Sequence, residues 1–192
     1  RRNNFIGRLV VWRDITDLKQ TQHELHELAT RDPLTQAYNR RHFMDLAEKE
    51  YQRAVSTSGF FSLVMMDIDH FKNVNDSMGH VFGDGVLQAV AERLRATVGD
   101  FGYCARLGGD EFTVVCASAQ RPEEIERAAA RIVGSFQEPL VVDGRELLMG
   151  LSLGASVFPE HGRDPEGLLR AADAALFHAK AQGRSRVRMF SP

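Results

Sequence analysis

The chain has 192 residues, 43% of them hydrophobic and 26% charged, with a net charge of −2. That suffices for one well-packed domain plus a short extra segment, with a composition ordinary for globular proteins. No basic excess points to nucleic acid, no apolar run reaches the roughly 20 residues of a membrane helix, and no apolar leader follows Arg1-Arg2-Asn3-Asn4.

Without an initiator Met, the chain reads as a piece of a longer protein. Gly7 to Arg13 alternates weakly and is rich in β-formers, which predicts a strand. Asp14 or Thr16 can cap a following helix that runs to about Thr30. Its seam of Ile15, Leu18, Gln22, Leu25 and Ala29 fits either a dimer interface or a linker helix lying on its own domain. His23 and His26 lie on this helix, and nothing near them completes a metal site. Asp32-Pro33 breaks it. A helix is predicted from Asn39 to Val55, then a near-continuous apolar run from Gly59 to Ile68, the mark of a central buried strand.

A polar, glycine-containing stretch from Asp69 to Gly85 precedes a helix from Val86 to Val98. Tyr103 to Arg106 and Phe112 to Ala117 read as strands on either side of Gly108-Gly109, a hairpin signal. Cys104 and Cys116 would then sit across from each other, and they read as reduced thiols in a cytoplasmic core rather than a disulfide framework. A helix from Pro122 to Phe136 follows. Strands at Leu140 to Val142 and Glu146 to Val157 flank the turn Asp143-Gly144. A helix from Pro165 to Gln182 closes at Gly183, and Arg186 to Phe190 is a last strand. Strands and helices mixed in this order predict an α/β or α+β domain.

Acidic residues stand out from this pattern. Asp67 and Asp69 end the buried strand, and Asp110 and Glu111 sit on the hairpin turn. Carboxylates so placed can converge, and an all-oxygen donor set suits Mg²⁺ or Mn²⁺ rather than Zn²⁺. The backbone amides of His70, Phe71 and Lys72, where the chain leaves the strand, can bind phosphate. Lys180 and Arg184, four apart around the end of the last long helix, can add charge. Gly79, Gly83 and Gly85 match neither a Walker A loop nor a dinucleotide fingerprint. These features point to Mg-dependent nucleotide chemistry.

The motifs together resemble the GGDEF family of diguanylate cyclases. Asp32-Pro33-Leu34-Thr35 with Asn39-Arg40-Arg41 looks like the family's opening motif, and Asp67-Ile68-Asp69-His70-Phe71-Lys72-Asn73-Val74-Asn75-Asp76 like its central one. Gly79-His80, Gly83-Asp84, the signature Gly108-Gly109-Asp110-Glu111-Phe112, and Ala172 to Lys180 with Gly183-Arg184 follow in order. The resemblance implies a five-stranded mixed central sheet flanked by helices, akin to nucleotidyl cyclases and polymerase palms. It also implies condensation of two GTP into cyclic di-GMP across a homodimer.

By position, Asp67, the Ile68 carbonyl and Asp110 or Glu111 would hold Mg²⁺ (or Mn²⁺), with Asp110 or Glu111 also helping to remove a proton. His70, Phe71, Lys72, Lys180 and Arg184 would bind phosphates. Asn75 and Asp84 would read the guanine edge, and Leu34 and Leu87 would line the base pocket. Residues 32–192 would be this domain, 14–31 a signalling helix, and 1–13, which resembles the tail of a PAS sensor, the remnant of an upstream partner. A cytoplasmic domain that does not itself enter a membrane is expected. Many family members carry a product-binding Arg-x-x-Asp before the signature. Here Gly99-Asp100-Phe101-Gly102 has neither residue in place, so no inhibitory product site is expected. The alternative reading is a non-catalytic GTP-binding module that regulates an attached domain.

Overall fold

The computed structural model describes residues 16–117 and 122–191, apart from the side chains of residues 18, 21–24 and 122. The expected strand at Gly7 to Arg13 lies outside them, as does Ile15 of the helical seam. Helix α1 (Thr16–Thr30) leads to a short strand β1 (Tyr38–Asn39) and helix α2 (Arg40–Thr57). Asn39 starts α2 for two reasons. Its Oδ1 accepts the His42 amide at 2.9 Å, and its Nδ2 donates back to the Ala29 carbonyl at 2.9 Å, so one side chain caps α2 and grips the end of α1.

Strand β2 (Phe61–Ile68) is the centre of the molecule. It pairs antiparallel with β4 (Glu111–Cys116) on one side and with β7 (Leu151–Phe158) on the other. Strand β3 (Gly102–Gly108) adds antiparallel to β4, and β8 (Val187–Met189) adds parallel to β7. These five strands are the expected mixed central sheet, and the two-residue β1 extends it parallel to β3, giving the order β1-β3-β4-β2-β7-β8.

The apolar run of β2 is buried on both faces because helices cover both. Val64, Met66 and Ile68 pack with Val86, Val90 and Leu94 of α4 (His80–Val98) and with Ile125, Ala129 and Ile132 of α5 (Pro122–Ser135). Phe61 and Leu63 pack on Phe43, Ala47 and Ala54 of α2, while Met65 packs on Ala172 and Leu176 of α6 (Pro165–Ala181). Helix α6 is drawn very close to the sheet. A Cβ on Gly154 of β7 would lie 2.1 Å from both the Ala172 carbonyl oxygen and the Leu176 nitrogen, so no side chain fits there.

Three expectations are corrected. The stretch from Asp69 to Gly85 is mostly helical: α3 (Phe71–Met78) ends at Gly79, whose φ is 82°, and α4 begins at His80 rather than Val86. Gly83 and Gly85 lie inside α4, where they serve close packing rather than a loop. The predicted strand from Glu146 to Val157 is two strands. Strand β5 (Leu140–Val142) and β6 (Arg145–Leu147) form a separate hairpin, and the chain breaks at residues 148–150 before β7. There the pairing with β2 runs one step further, the Gly150 carbonyl accepting the Asp69 amide at 3.0 Å. Cys104 and Cys116 are not opposite one another, since Cys104 pairs with Val114 and Cys116 with Gly102. Both thiols are free and buried, and burial pushes each up to about 12, which keeps them protonated and unreactive.

The segment after α1 is pinned to the sheet through Asp32. Its carboxylate accepts from the Thr35 amide at 2.9 Å, the Thr35 hydroxyl at 2.7 Å and Arg106 Nη1 at 3.1 Å. Burial acts to raise the Asp32 pKa, but the Thr35 hydrogen bonds and the Arg106 charge outweigh it and hold the group below its ordinary 3.8. A depressed carboxylate contributes stability that is present above its unfolded value and lost as pH falls through the folded one. Asp32→Asn should therefore cost about 1 kcal/mol at pH 7, the size of one charge-assisted contact. Urea denaturation along a pH series should show that cost vanishing below the carboxylate range.

Candidate functional site

The site lies where β2 ends. Counting back by two from Asp67, the residues Met65, Leu63 and Phe61 form the apolar row facing α2 and α6. Asp67 continues that row just as the helical cover thins. Its direct cross-strand partner is Glu111, the first residue of β4. Side chains so paired have Cβ atoms about 5 Å apart, and like charges there oppose each other. The pKa values of both carboxyls are raised. For Asp67 the largest cause is loss of water on burial. The hydrogen bond from Lys180 works against this, and the charge of Asp110 adds to it. For Glu111, at the more exposed rim, loss of water comes first, then the charges of Asp67, Asp173 and Asp110.

Helix α6 supplies the counter-charge. Lys180 in its last turn places Nζ 2.7 Å from Asp67 Oδ2. Seven residues earlier, two turns along the same face, Asp173 comes near Glu111. The reading of the sequence missed Asp173, although its spacing from Lys180 could have found it. Among the described residues no three His, Cys, Asp or Glu side chains make a metal cage by themselves. Two opposed carboxylates beside the Ile68 carbonyl do fit Mg²⁺, which keeps waters and is completed by substrate phosphates. The strand register puts Glu111, rather than Asp110, opposite Asp67. Asp110 stays on the turn, close enough for its charge to act on both.

Asp69 belongs to the scaffold rather than to the carboxylate pair. It is 5% exposed and its oxygens are fully engaged. Ser152 Oγ donates to Oδ1 at 2.6 Å, while the Ser185 amide and hydroxyl donate to Oδ2 at 2.9 and 3.1 Å. It thereby fixes the loop after α6, which carries Arg184. His70 follows in the left-handed region, with φ 61°. That turn aims the first amides of α3, at Phe71 and Lys72, out of the helix end, where they have no intrahelical acceptor. His70 and Arg184 both line a cavity of about 450 Å³ together with Asn73, Ser77 and Ser185.

Asn75 is not in that cavity. Its amide lies instead against Gly83, where a Cβ would come within 1.9 Å of Asn75 Oδ1. Asp84, the next residue of α4, is exposed. Leu87 is 3% exposed in the main core, and Leu34 packs on the same cluster. Gln88 Nε2 donates to the Leu34 carbonyl at 3.1 Å, which ties the opening loop to α4 one residue past Leu87. The structure thus gathers Asp67, Ile68, Asp110, Glu111 and Lys180 at one strand end. It places the α3 amides beside them, and Asn75, Asp84, Leu34 and Leu87 on α3, α4 and the opening loop. Arg184 enters from the other flank of α3.

Comparison with known proteins agrees with this geometry. Residues 29–186 match the family model for the diguanylate cyclase GGDEF domain. The chain is 39% identical over 170 residues to the bifunctional diguanylate cyclase/cyclic di-GMP phosphodiesterase MucR of Pseudomonas aeruginosa, covering 88% of this chain and 25% of MucR. It is 34% identical over 177 residues to the cyclic di-GMP phosphodiesterase NbdA of the same species, covering 92% of this chain and 22% of NbdA. This chain therefore spans about a quarter of the length of those relatives. The solved GGDEF domain of TpbB from Pseudomonas aeruginosa superposes with a TM-score of 0.81 at 34% identity, covering 84% of this chain and 94% of that one. The chain belongs to the GGDEF diguanylate cyclase family.

Proposed function

We propose that this domain condenses two GTP molecules into cyclic di-GMP, releasing two pyrophosphates. The observation that carries the reading is the opposed pair Asp67 and Glu111 with Lys180 on Asp67, in a chain of a cyclase family. Asp67, Glu111 and the Ile68 carbonyl would hold Mg²⁺, which when bound neutralises charge on the triphosphate. Lys180 then exchanges Asp67 for a phosphate oxygen, and the α3 amides with Arg184 cradle the rest of the chain of phosphates. Asp84 accepts from the N1 and N2 donors of guanine, and Asn75 completes its edge. Adenine would leave these groups unpaired.

The reacting 3′-hydroxyl comes from GTP on a second copy. Asp110, on the open turn, would take its proton. Alignment of two domains is then itself catalytic, since well-oriented pairs can gain roughly 7–11 kcal/mol. Helix α1 is a means to that pairing. Its Leu25 is 61% exposed and so is free to meet a partner. Upstream residues would deliver a sensor's state through α1. Among the described residues no helix is long and apolar enough to cross a membrane.

A second reading is a GTP-binding domain that regulates an attached phosphodiesterase; the likeness to NbdA favours it. One assay separates the two. With GTP and Mg²⁺ at high protein concentration, chromatography should show cyclic di-GMP, with a specific rate that rises with concentration. Asp110→Asn should lower that rate at least about a hundredfold with an unchanged melting temperature. Bound but unconverted GTP in the wild type would instead support the regulatory reading.

Guanine recognition gives a second expectation. Gly83→Ala puts a methyl where the Asn75 amide lies. The end of a side chain can swing away, so the fold should survive, and helix α4 should if anything gain from alanine. KM for GTP should rise about tenfold, the value of one lost hydrogen bond. An unchanged KM would remove Asn75 from the base site.

A further inference from the structure

Strand β3 ends in Gly108, with φ 147°, and the turn continues through Gly109, with φ 53°. Two glycines give the turn no side chain of its own by which to be held, yet the next two residues are Asp110 and Glu111. The turn is held from outside, by Arg106. Its Nε and Nη2 both donate to the Gly109 carbonyl, at 3.0 and 2.8 Å. The other arm of the same guanidinium, Nη1, donates to both Asp32 oxygens, at 3.1 and 3.3 Å. Among the described residues no other side chain donates to the Gly108–Asp110 turn. The Arg106 side chain is only 12% exposed, while the Gly109 carbonyl it holds lies on the exposed turn.

Asp32 is in turn tied to the end of α1. The Arg31 amide bonds the Glu27 carbonyl at 2.8 Å, continuing the helix to the residue before Asp32. Asn39 Nδ2 holds the Ala29 and Arg31 carbonyls at 2.9 and 3.4 Å. The Asp32 amide closes on the Ala37 carbonyl at 2.8 Å. A guanidinium is a rigid planar fork, so its two arms cannot shift independently.

We propose that Arg106 is a positioning residue that couples the end of helix α1 to the turn bearing Asp110 and Glu111. A displacement of Asp32 moves the guanidinium, and with it the Gly109 peptide that precedes Asp110. Arg106 touches neither substrate nor reacting atoms on this account. It sets where the carboxylates stand, and α1 sets where Arg106 stands. The kinetic part of the proposal rests on the cyclase reading; the structural part does not.

The test uses Arg106→Lys, Asp32→Asn and the double variant of the whole chain. Lysine keeps the charge but has one nitrogen, which cannot serve Asp32 and the Gly109 carbonyl together. Amide hydrogen exchange should rise about tenfold at residues 109–111 in both single variants, with β2 and α6 unchanged, because the clamp and not the fold has been released. The double variant should exchange no faster than Arg106→Lys alone, since both changes cut one connection. With GTP, kcat should fall roughly tenfold or more from a small misplacement of the carboxylates, while KM stays within about threefold because the base and phosphate contacts are untouched. The proposal is overturned if exchange at 109–111 is unchanged, if it rises throughout the domain, if the two substitutions act additively, or if kcat is retained. A wild type that makes no cyclic di-GMP would overturn the cyclase reading alone, since the exchange results would still decide the coupling.

Discussion

The structure depends on one unfavourable pairing. Asp67 and Glu111 are set directly opposite each other by the register of two central strands, and their backbones cannot part without breaking the ladder that carries the core. Loss of water on burial raises both pKa values, and neighbouring carboxylates add to it: Asp110 and Asp69 act on Asp67, and Asp67, Asp173 and Asp110 on Glu111. A fold that spends stability on two opposed carboxylates is prepared for a cation, and the Lys180 ammonium meets only half of that demand, on Asp67. The rest of the domain can be understood as what keeps these groups where they are.

Each face of β2 contributes. The apolar row facing α4 and α5 fixes the strand in the core, and the row facing α2 and α6 ends in Asp67. The close seat of α6 at Gly154 brings Lys180 and Asp173 to the strand end at a set height. Asp69 orders the loop after α6 through Ser152 and Ser185, so Arg184 stands beside a satisfied buried network rather than on a free loop. The hairpin turn is exposed at Gly108 and Gly109. Its position is set by Arg106 and, through Asp32, by the segment leaving α1.

Much of this was legible from the residues. The run from Gly59 to Ile68 could hardly be anything but a central strand, and an acid closing it drew notice at once. Gly108-Gly109 between two β-rich stretches announced the turn. Helix α2 begins where the sequence puts it, at Asn39, whose side chain caps it. The errors came from polar helices and from contacts between distant segments. Helix α3 and the first turns of α4 contain too many polar and glycine residues to look helical, because few of their side chains, Phe71, Val74, Phe82 and Val86, carry their packing on the core. Arg106 carries no local signal: its partners lie 74 residues away in sequence at Asp32 and in a backbone carbonyl three residues on. The role of Asp69 was equally hidden, since nothing in a strand-end acid tells a ligand from a buried hydrogen-bond acceptor.

The most direct test of the central claim is to locate the cation. Crystals grown with Mn²⁺ and a non-hydrolysable GTP analogue would show the metal by anomalous diffraction. The account predicts one peak between the Asp67 and Glu111 carboxylates and the Ile68 carbonyl, with Lys180 Nζ moved from Asp67 to a phosphate oxygen. A triphosphate bound with Lys180 still on Asp67 and the metal elsewhere, or with no metal between the two carboxylates, would contradict it.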